Sequence, residues 1–193
     1  MLFKGVNMPA KKVIEKETIV DAALDIVRRE GMDGLNMRTL AKACNCSTQP
    51  IYLSFSGADE LKSEVKKRII EIYCDYRKRE ILLNAYPEFK AVGMAYIRFA
   101  KEEPELFKYL FMRNRVKEAQ NDMNEDFISE TSVLSNLYKI NGDVATQIHI
   151  QIWIWVHGIA TMYATRYMNW EWEDVSKLLT DAFISIKEHL YKE

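Results

Sequence analysis

The chain has 193 residues, of which 48% are hydrophobic and 28% charged, and its formal net charge at pH 7 is −1. That length suits one domain, or a small module joined to a larger one, and the composition excludes disorder and collagen. With 7 glycines and 4 prolines the turns of an antiparallel fold are unprovided for, so an all-α fold of long helices is expected, and the near-zero charge leaves any nucleic-acid binding to a local surface.

Residues 1–12 hold no hydrophobic signal-peptide core, so export is not expected. A first helix is expected over 15–30, where Ile19, Ala22, Ala23, Ile26 and Val27 recur at helical spacing and Lys16, Asp21, Arg28 and Arg29 take the other side. Gly31 ends it. Asn36 is a suitable cap for a short helix over 37–43. Cys44-Asn45-Cys46 makes a sharp turn, asparagine being tolerant of left-handed backbone. Ser47 then caps a second short helix over 48–53, with Pro50 in its first turn, and Phe55, Ser56 and Gly57 close the unit.

A long helix follows from Ala58 to about residue 85, with Leu61, Val65, Ile69, Ile72, Tyr73, Tyr76 and Ile81 on a stripe. Pro87 opens a helix to Glu103; Pro104 ends it and begins a short one to Met112. The polar stretch 113–124 is expected as a loop, and further helices are expected over 127–140, 143–168 and 173–191. Val144 to Thr165 carries no formal charge and is long enough to span a bilayer. Gln147, His149, Gln151 and His157 interrupt it, so a helix buried on most faces is expected instead, with no membrane partner. Cys44, Cys46 and Cys74 form neither an even set nor a C-x-x-C and read as reduced thiols of a cytoplasmic protein.

Two short helices joined by a three-residue turn and braced by a longer helix describe a helix-turn-helix, whose second helix enters the DNA major groove. Leu40, Ala41, Cys46 and Ile51 would face inward. Ser47, Thr48, Gln49, Pro50, Tyr52 and Ser54 would face outward, small or hydrogen-bonding side chains suited to base edges and phosphates at short range. The series Ile19-x-x-Ala22-Ala23-Leu24, Gly31-x-x-Gly34-Leu35-Asn36-Met37-Arg38-x-Leu40-Ala41 and Ser47-x-x-x-Ile51-Tyr52-x-x-Phe55-x-x-x-x-Glu60-Leu61 resembles the amino-terminal domain of TetR/AcrR-type transcriptional regulators. Tyr96-x-x-Phe99-Ala100-x-x-x-Pro104-Glu105-Leu106-Phe107 and Trp153-x-x-x-His157-Gly158 resemble segments of one large subset.

The resemblance implies an all-α homodimer. Residues 1–57 would form a DNA-binding domain of three short helices, joined by a long fourth helix to a helical-bundle ligand-binding and dimerisation domain at 58–193. It further implies a repressor released from a palindromic operator by a small-molecule effector. The sequence departs from the pattern at Ala58, where a phosphate-contacting lysine usually opens the fourth helix, at Ser54, where a histidine or aromatic is common, and at Asn45, which replaces a turn glycine. One phosphate contact per protomer is therefore expected to be missing.

Each site residue has two readings. Tyr52 could bond a phosphate through its hydroxyl or pack its ring beneath the recognition helix, and Gln49 could read adenine N6 and N7 or lie solvated. Arg38 is expected to position the phosphate backbone rather than read bases. Thr39, Ser47 and Thr48 are candidate phosphate donors, although Asn36 and Ser47 are also explained as caps. Lys4, Lys11, Lys12 and Lys16 could form a basic arm or a solvated terminus. Cys44 and Cys46 raise a redox switch, against which stands the strain of a disulfide closed across one residue.

In the body, Tyr73, Tyr96, Phe99, Phe107, Phe111, Met112, Trp153, His157 and Tyr163 fit either ordinary core or the aromatic walls of a ligand cavity. Trp153 and His157, four residues apart, share a helix face and give such a cavity a polar handle, and His157 is the candidate for a pH-sensitive contact. Dimerisation is expected through the last two helices, with Ile148, Ile152, Trp155, Ile159 and Tyr163 facing Leu178, Leu179, Ala182, Phe183 and Ile186 of the mate. No P-loop, dinucleotide or nucleophile-elbow motif is present, and His149, His157 and His189 lack metal spacing, so neither catalysis nor a metal or cofactor is expected. The expected partners are double-stranded operator DNA, a small-molecule effector and a second copy. The competing reading is a helical protein-interaction module that keeps the helix-turn-helix shape without specific DNA binding, which Ala58 and the near-zero charge favour.

Overall fold

The computed structural model describes residues 14–113 and 121–190, with backbone only for 121–126, and among them lie nine α-helices and no strand. Two compact units part between Arg68 and Ile69, inside the fourth helix.

The first unit holds α1 (Lys16–Glu30), a single 3₁₀ turn (Met32–Gly34), α2 (Met37–Ala43), α3 (Thr48–Ser54) and the opening of α4 (Ala58–Leu82). Its core is Ile19, Ala23, Ile26, Val27, Leu40, Ile51, Phe55, Leu61 and Val65, all buried. Gly31 stops α1 in a conformation with φ 70°, its N–H donating to Val27 O. Gly34 then passes so close to α1 that a Cβ there would lie 2.5 Å from Glu30 Cβ, so only glycine fits without a shift of backbone. Asn36 Oδ1 accepts from the Arg38 and Thr39 N–H groups, both at 3.0 Å, and Thr39 Oγ1 accepts from Asn36 N–H at 3.1 Å. This reciprocal box satisfies donors that the first helical turn leaves without intrahelical partners. After α2, Asn45 takes φ 49°, its N–H donates to Lys42 O, and Cys46 N–H donates to Ala41 O. That is the left-handed cap a tight helix-helix turn needs.

The second unit holds the rest of α4, α5 (Glu88–Glu102), α6 (Pro104–Phe111), α7 (Asn121–Tyr138), α8 (Gly142–Ala164) and α9 (Trp172–Leu190). Met94, Ala95, Ile97, Phe99 and Ala100 of α5 are buried together with Ala145, Ile148, Ala160 and Tyr163 of α8, and Val175 and Leu179 of α9. The α5–α8 contact is close at Gly93, where a Cβ would stand 3.1 Å from Val156 Cγ2. Glu80, 3% exposed, is matched by Arg98, whose Nε lies 2.9 Å from Glu80 Oε2 and whose guanidinium sits 4.1 Å from the Trp172 ring centroid.

Three boundaries differ from the sequence expectation. Helix α4 ends at Leu82, because Asn84 turns left-handed at φ 50°. Helix α7 begins at Asn121, inside the stretch expected as a loop, where polar residues leave no apolar stripe to mark it. Helix α8 ends at Ala164: Arg166 takes φ 56° and donates to Tyr163 O, while Tyr167 N–H reaches back to Met162 O. This is a glycine-type stop built on arginine, which no turn signal announces. Among the described residues no helix is long and apolar enough to cross a membrane.

Candidate DNA-binding surface and ligand cavity

In the first unit the helix-turn-helix buries Leu40, Ala41 and Ile51 and turns polar side chains outward. Arg38 and Gln49 are exposed, and Tyr52 is 56% exposed, so most of its ring lies outside the core. Thr48 and Pro50 are half-buried. Ser47 stands at the N-cap of α3 but makes no side-chain capping bond, so its hydroxyl is not committed there. Two of the expected donors are committed. The Thr39 hydroxyl takes part in the capping box and donates to the Gly34 or Asn36 carbonyl, each at 2.9 Å, and Ser54 Oγ donates to Pro50 O at 3.2 Å. Leu53, 71% exposed on the same short helix, was not foreseen as part of this surface.

Of the four lysines read as an arm, Lys16 is held in the fold and Lys4, Lys11 and Lys12 lie outside the described residues. Lys16 Nζ pairs with Glu60 Oε1 at 3.0 Å and sits 4.9 Å from the Phe55 ring centroid. Glu60 Oε2 accepts from Ser56 N–H at 2.7 Å and from Ser56 Oγ at 2.8 Å. The Ser56 amide above all, then Lys16 and the Ser56 hydroxyl, bring the Glu60 carboxyl down to about 2. Cys44 and Cys46 are half-buried free thiols. Burial first, then Cys46, pushes the Cys44 thiol up, which disfavours the thiolate that oxidation needs.

In the second unit a cavity of about 120 Å³ opens between Tyr73 of α4, Phe89, Val92, Gly93 and Tyr96 of α5, Phe111 of α6, Phe127 and Glu130 of α7, and His149, Ile152, Trp153 and Val156 of α8. Tyr73, Tyr96, Phe111 and Trp153, four of the candidates for a ligand cavity, line it. Phe99 and Phe107 do not: both are fully buried behind the wall, 5.4 Å from the Tyr73 ring and 5.1 Å from the Tyr96 ring. His157 also stands behind it. Its Nδ1 lies 2.9 Å from the Tyr96 hydroxyl and its ring stacks on Trp153 at 5.1 Å, and burial lowers its pKa. His157 is thus a neutral brace for two wall residues.

The polar end of this cavity was not foreseen. His149 is 3% exposed and stacked on Phe127 at 4.1 Å. Its Nδ1 lies 2.8 Å from Thr131 Oγ1, a hydroxyl that also lies 2.7 Å from Phe127 O. Nε2 faces Glu130 Oε2 at 3.4 Å, while Glu130 Oε1 accepts from Arg77 at 2.8 Å. The interruption of an uncharged helix by His149 was the available signal. A second cavity of about 180 Å³ shares Phe89, Gly93, Ile152 and Val156 with the first and adds Pro87, Lys90, Tyr138, Leu179, Thr180 and Phe183.

The residues expected at a dimer interface separate into two groups. Ile148, Ile152, Ile159, Tyr163, Leu179 and Ala182 are buried within their own chain, Ile152 against both cavities and Tyr163 with its hydroxyl donating to Trp170 O at 2.7 Å. Helix α8 is apolar on nearly every side, so the stripe that packs internally cannot be told from the outward one by composition. Trp155 is exposed, with Ile150, Ile154 and Met162 also outward on α8, whereas Leu178, Phe183 and Ile186 of α9 are half-buried.

The family model for the C-terminal domain of tetracyclin repressor-like proteins matches residues 89–183. A curated relative, the HTH-type nicotine-responsive transcriptional repressor of Paenarthrobacter nicotinovorans, is 25% identical over 64 residues, which is 33% of each chain. This chain therefore spans a third of that relative's length. Two solved structures share the fold. A TetR-like transcriptional regulator from Rhodococcus sp. RHA1 has a TM-score of 0.68 at 15% identity, over 91% of this chain and 96% of that one. A TetR family protein from Vibrio parahaemolyticus has 0.61 at 14% identity, over 88% and 97%. With the all-α fold shared with those structures and the family signature carried through α5 to α9, the chain belongs to the TetR family of transcriptional regulators.

Proposed function

We propose that the chain is a homodimeric repressor that binds a near-palindromic operator through residues 1–57 and is released when a small molecule enters the helical body at 58–193. The observation that carries this is the α2–turn–α3 unit, in which a buried Leu40–Ala41–Ile51 core holds Gln49 and Tyr52 outward. The curated relative is itself a nicotine-responsive repressor, which supports both repression and a small effector. Helix α3 enters the major groove. Gln49 reads a base edge, Thr48 and Pro50 pack along the groove, and Tyr52, Ser47 and Arg38 hold phosphates. Thr39 and Ser54, whose hydroxyls are committed, hold the backbone of the two short helices and contact phosphate only by accepting or through water.

Release runs through α4, which supplies Leu61 and Val65 to the first unit and Tyr73 and Arg77 to the second. A ligand that favours another α4 arrangement shifts the population away from DNA, and a tenfold loss of affinity needs about 1.4 kcal/mol of differential binding. The outward α8 side chains Ile150, Ile154, Trp155 and Met162 form the dimer seam, beside Ile184 of α9. The test is fluorescence anisotropy on operator DNA. Gln49→Ala and Tyr52→Phe each weaken binding about tenfold without changing the melting temperature. Unchanged binding in both variants would favour the protein-interaction reading.

A further inference from the structure

Lys90 reaches from α5 to α9, where its Nζ donates to Ser176 O at 2.9 Å, Ser176 Oγ at 2.7 Å and Thr180 Oγ1 at 2.7 Å, and the Tyr86 ring centroid lies 4.6 Å away. All of these partners are neutral. Other half-buried cations of the second unit have carboxylates: Arg77 has Glu130, Arg98 has Glu80 and Lys108 has Glu105. Lys90 has none within ion-pair distance among the described residues, and burial alone, unopposed by any acid, lowers its pKa. Hydroxyl and carbonyl oxygens satisfy the ammonium's protons without neutralising its charge, and a charge at an apolar wall remains costly until an opposite one joins it. The wall in question belongs to the larger cavity, enclosed by Phe89, Tyr138, Leu179 and Phe183.

We propose that this larger cavity binds a small carboxylic acid with an apolar body, its carboxylate taking over from the Thr180 hydroxyl, which lines the same cavity, as acceptor of a Lys90 proton, and its body lying among Phe89, Tyr138, Leu179 and Phe183. The assignment rests on the second unit being the effector-binding one. A carboxylate is the matching monoanion, and its bonds to an ammonium are charge-assisted. The volume of about 180 Å³ compares with roughly 150 Å³ for an apolar cavity that holds benzene, so a single ring or a short alkyl chain fits.

The experiment is isothermal titration of the full chain, without DNA, with 3-phenylpropanoate and octanoate and with the alcohols of the same carbon skeletons. Either acid should bind at least tenfold tighter than its alcohol, and which acid is tighter tells an aryl from an alkyl body. Lys90→Met should remove at least tenfold of the acid affinity and leave the alcohol within about twofold, as replacing a buried charge by an apolar side chain of similar length keeps the packing. Parity of acid and alcohol on the wild-type chain, an acid preference that survives Lys90→Met, or no binding of any probe would overturn the assignment. If Lys90→Met fails to fold, the acid–alcohol pair on the wild-type chain still decides. Operator affinity is measured separately: an acid that meets these criteria but leaves DNA binding unchanged upholds the assignment and overturns the effector reading.

Discussion

Asn45 sets the helix-turn-helix angle through one backbone dihedral. At φ 49° it carries the left-handed turn between α2 and α3, a conformation that glycine adopts freely and β-branched residues resist. Asn45→Gly should leave stability within a few tenths of a kcal/mol, whereas Asn45→Val should cost about 1–2 kcal/mol in urea denaturation; equal stability of the two would show that the turn is not left-handed. Glu60 makes a second residue-scale prediction. Its carboxyl lies at about 2 against an ordinary 4.5, so its contribution is fully present above 4.5 and is lost as pH falls towards 2. Melts of Glu60→Gln should show a shallower loss across that window than the wild type, and parallel curves would contradict the assignment. The turn asparagine was legible in the sequence because its role is local. The partners of Lys90 and Glu130 were not: Thr180 is 90 positions from Lys90, and Arg77 is 53 from Glu130, separations that only the tertiary fold closes.

Helices were read correctly where a local stop or start marks them. Asn36, Gly31 and Pro104 each terminate or begin an element by their own chemistry, whereas the cap that opens α8, Asn141 Oδ1 accepting from Val144 N–H at 2.8 Å, was not among the starts read from the sequence. Where a polar run begins α7, or an arginine in left-handed backbone ends α8, nothing local announces the boundary. The outward face of α8 was likewise illegible, because its Ile and Trp residues surround the helix and packing against α5 and α9 decides which stripe is covered. Burial also decides the weight of the Glu80–Arg98 pair. Arg98→Met leaves an almost fully buried carboxylate without its cation and should cost about 3 kcal/mol, and adding Glu80→Gln should recover part of that loss. Additive losses in the double variant would mean that the two side chains act independently.

At the scale of the whole molecule, a net charge of −1 gives no general attraction to DNA, so the proposed function relies on short-range contacts, which a dimer would repeat by symmetry. Ile150, Ile154, Trp155 and Met162 of α8 are exposed apolar side chains, and apolar side chains gathered on a surface can mark an interface. Sedimentation velocity at micromolar concentration should give a dimer, which Ile154→Glu converts to a monomer; a monomeric wild type would contradict the seam.

Sequence-specific binding by a paired helix-turn-helix is tested by a footprint on the DNA flanking the protein's own coding sequence, with excess competitor DNA at two salt concentrations. The expected result is a protected near-palindrome with half-sites about 34–36 Å apart or a multiple of that, and a shallow salt dependence reflecting a few neutralised phosphates per protomer at about −0.9 each. Uniform protection without half-sites, lost as salt rises, would contradict it.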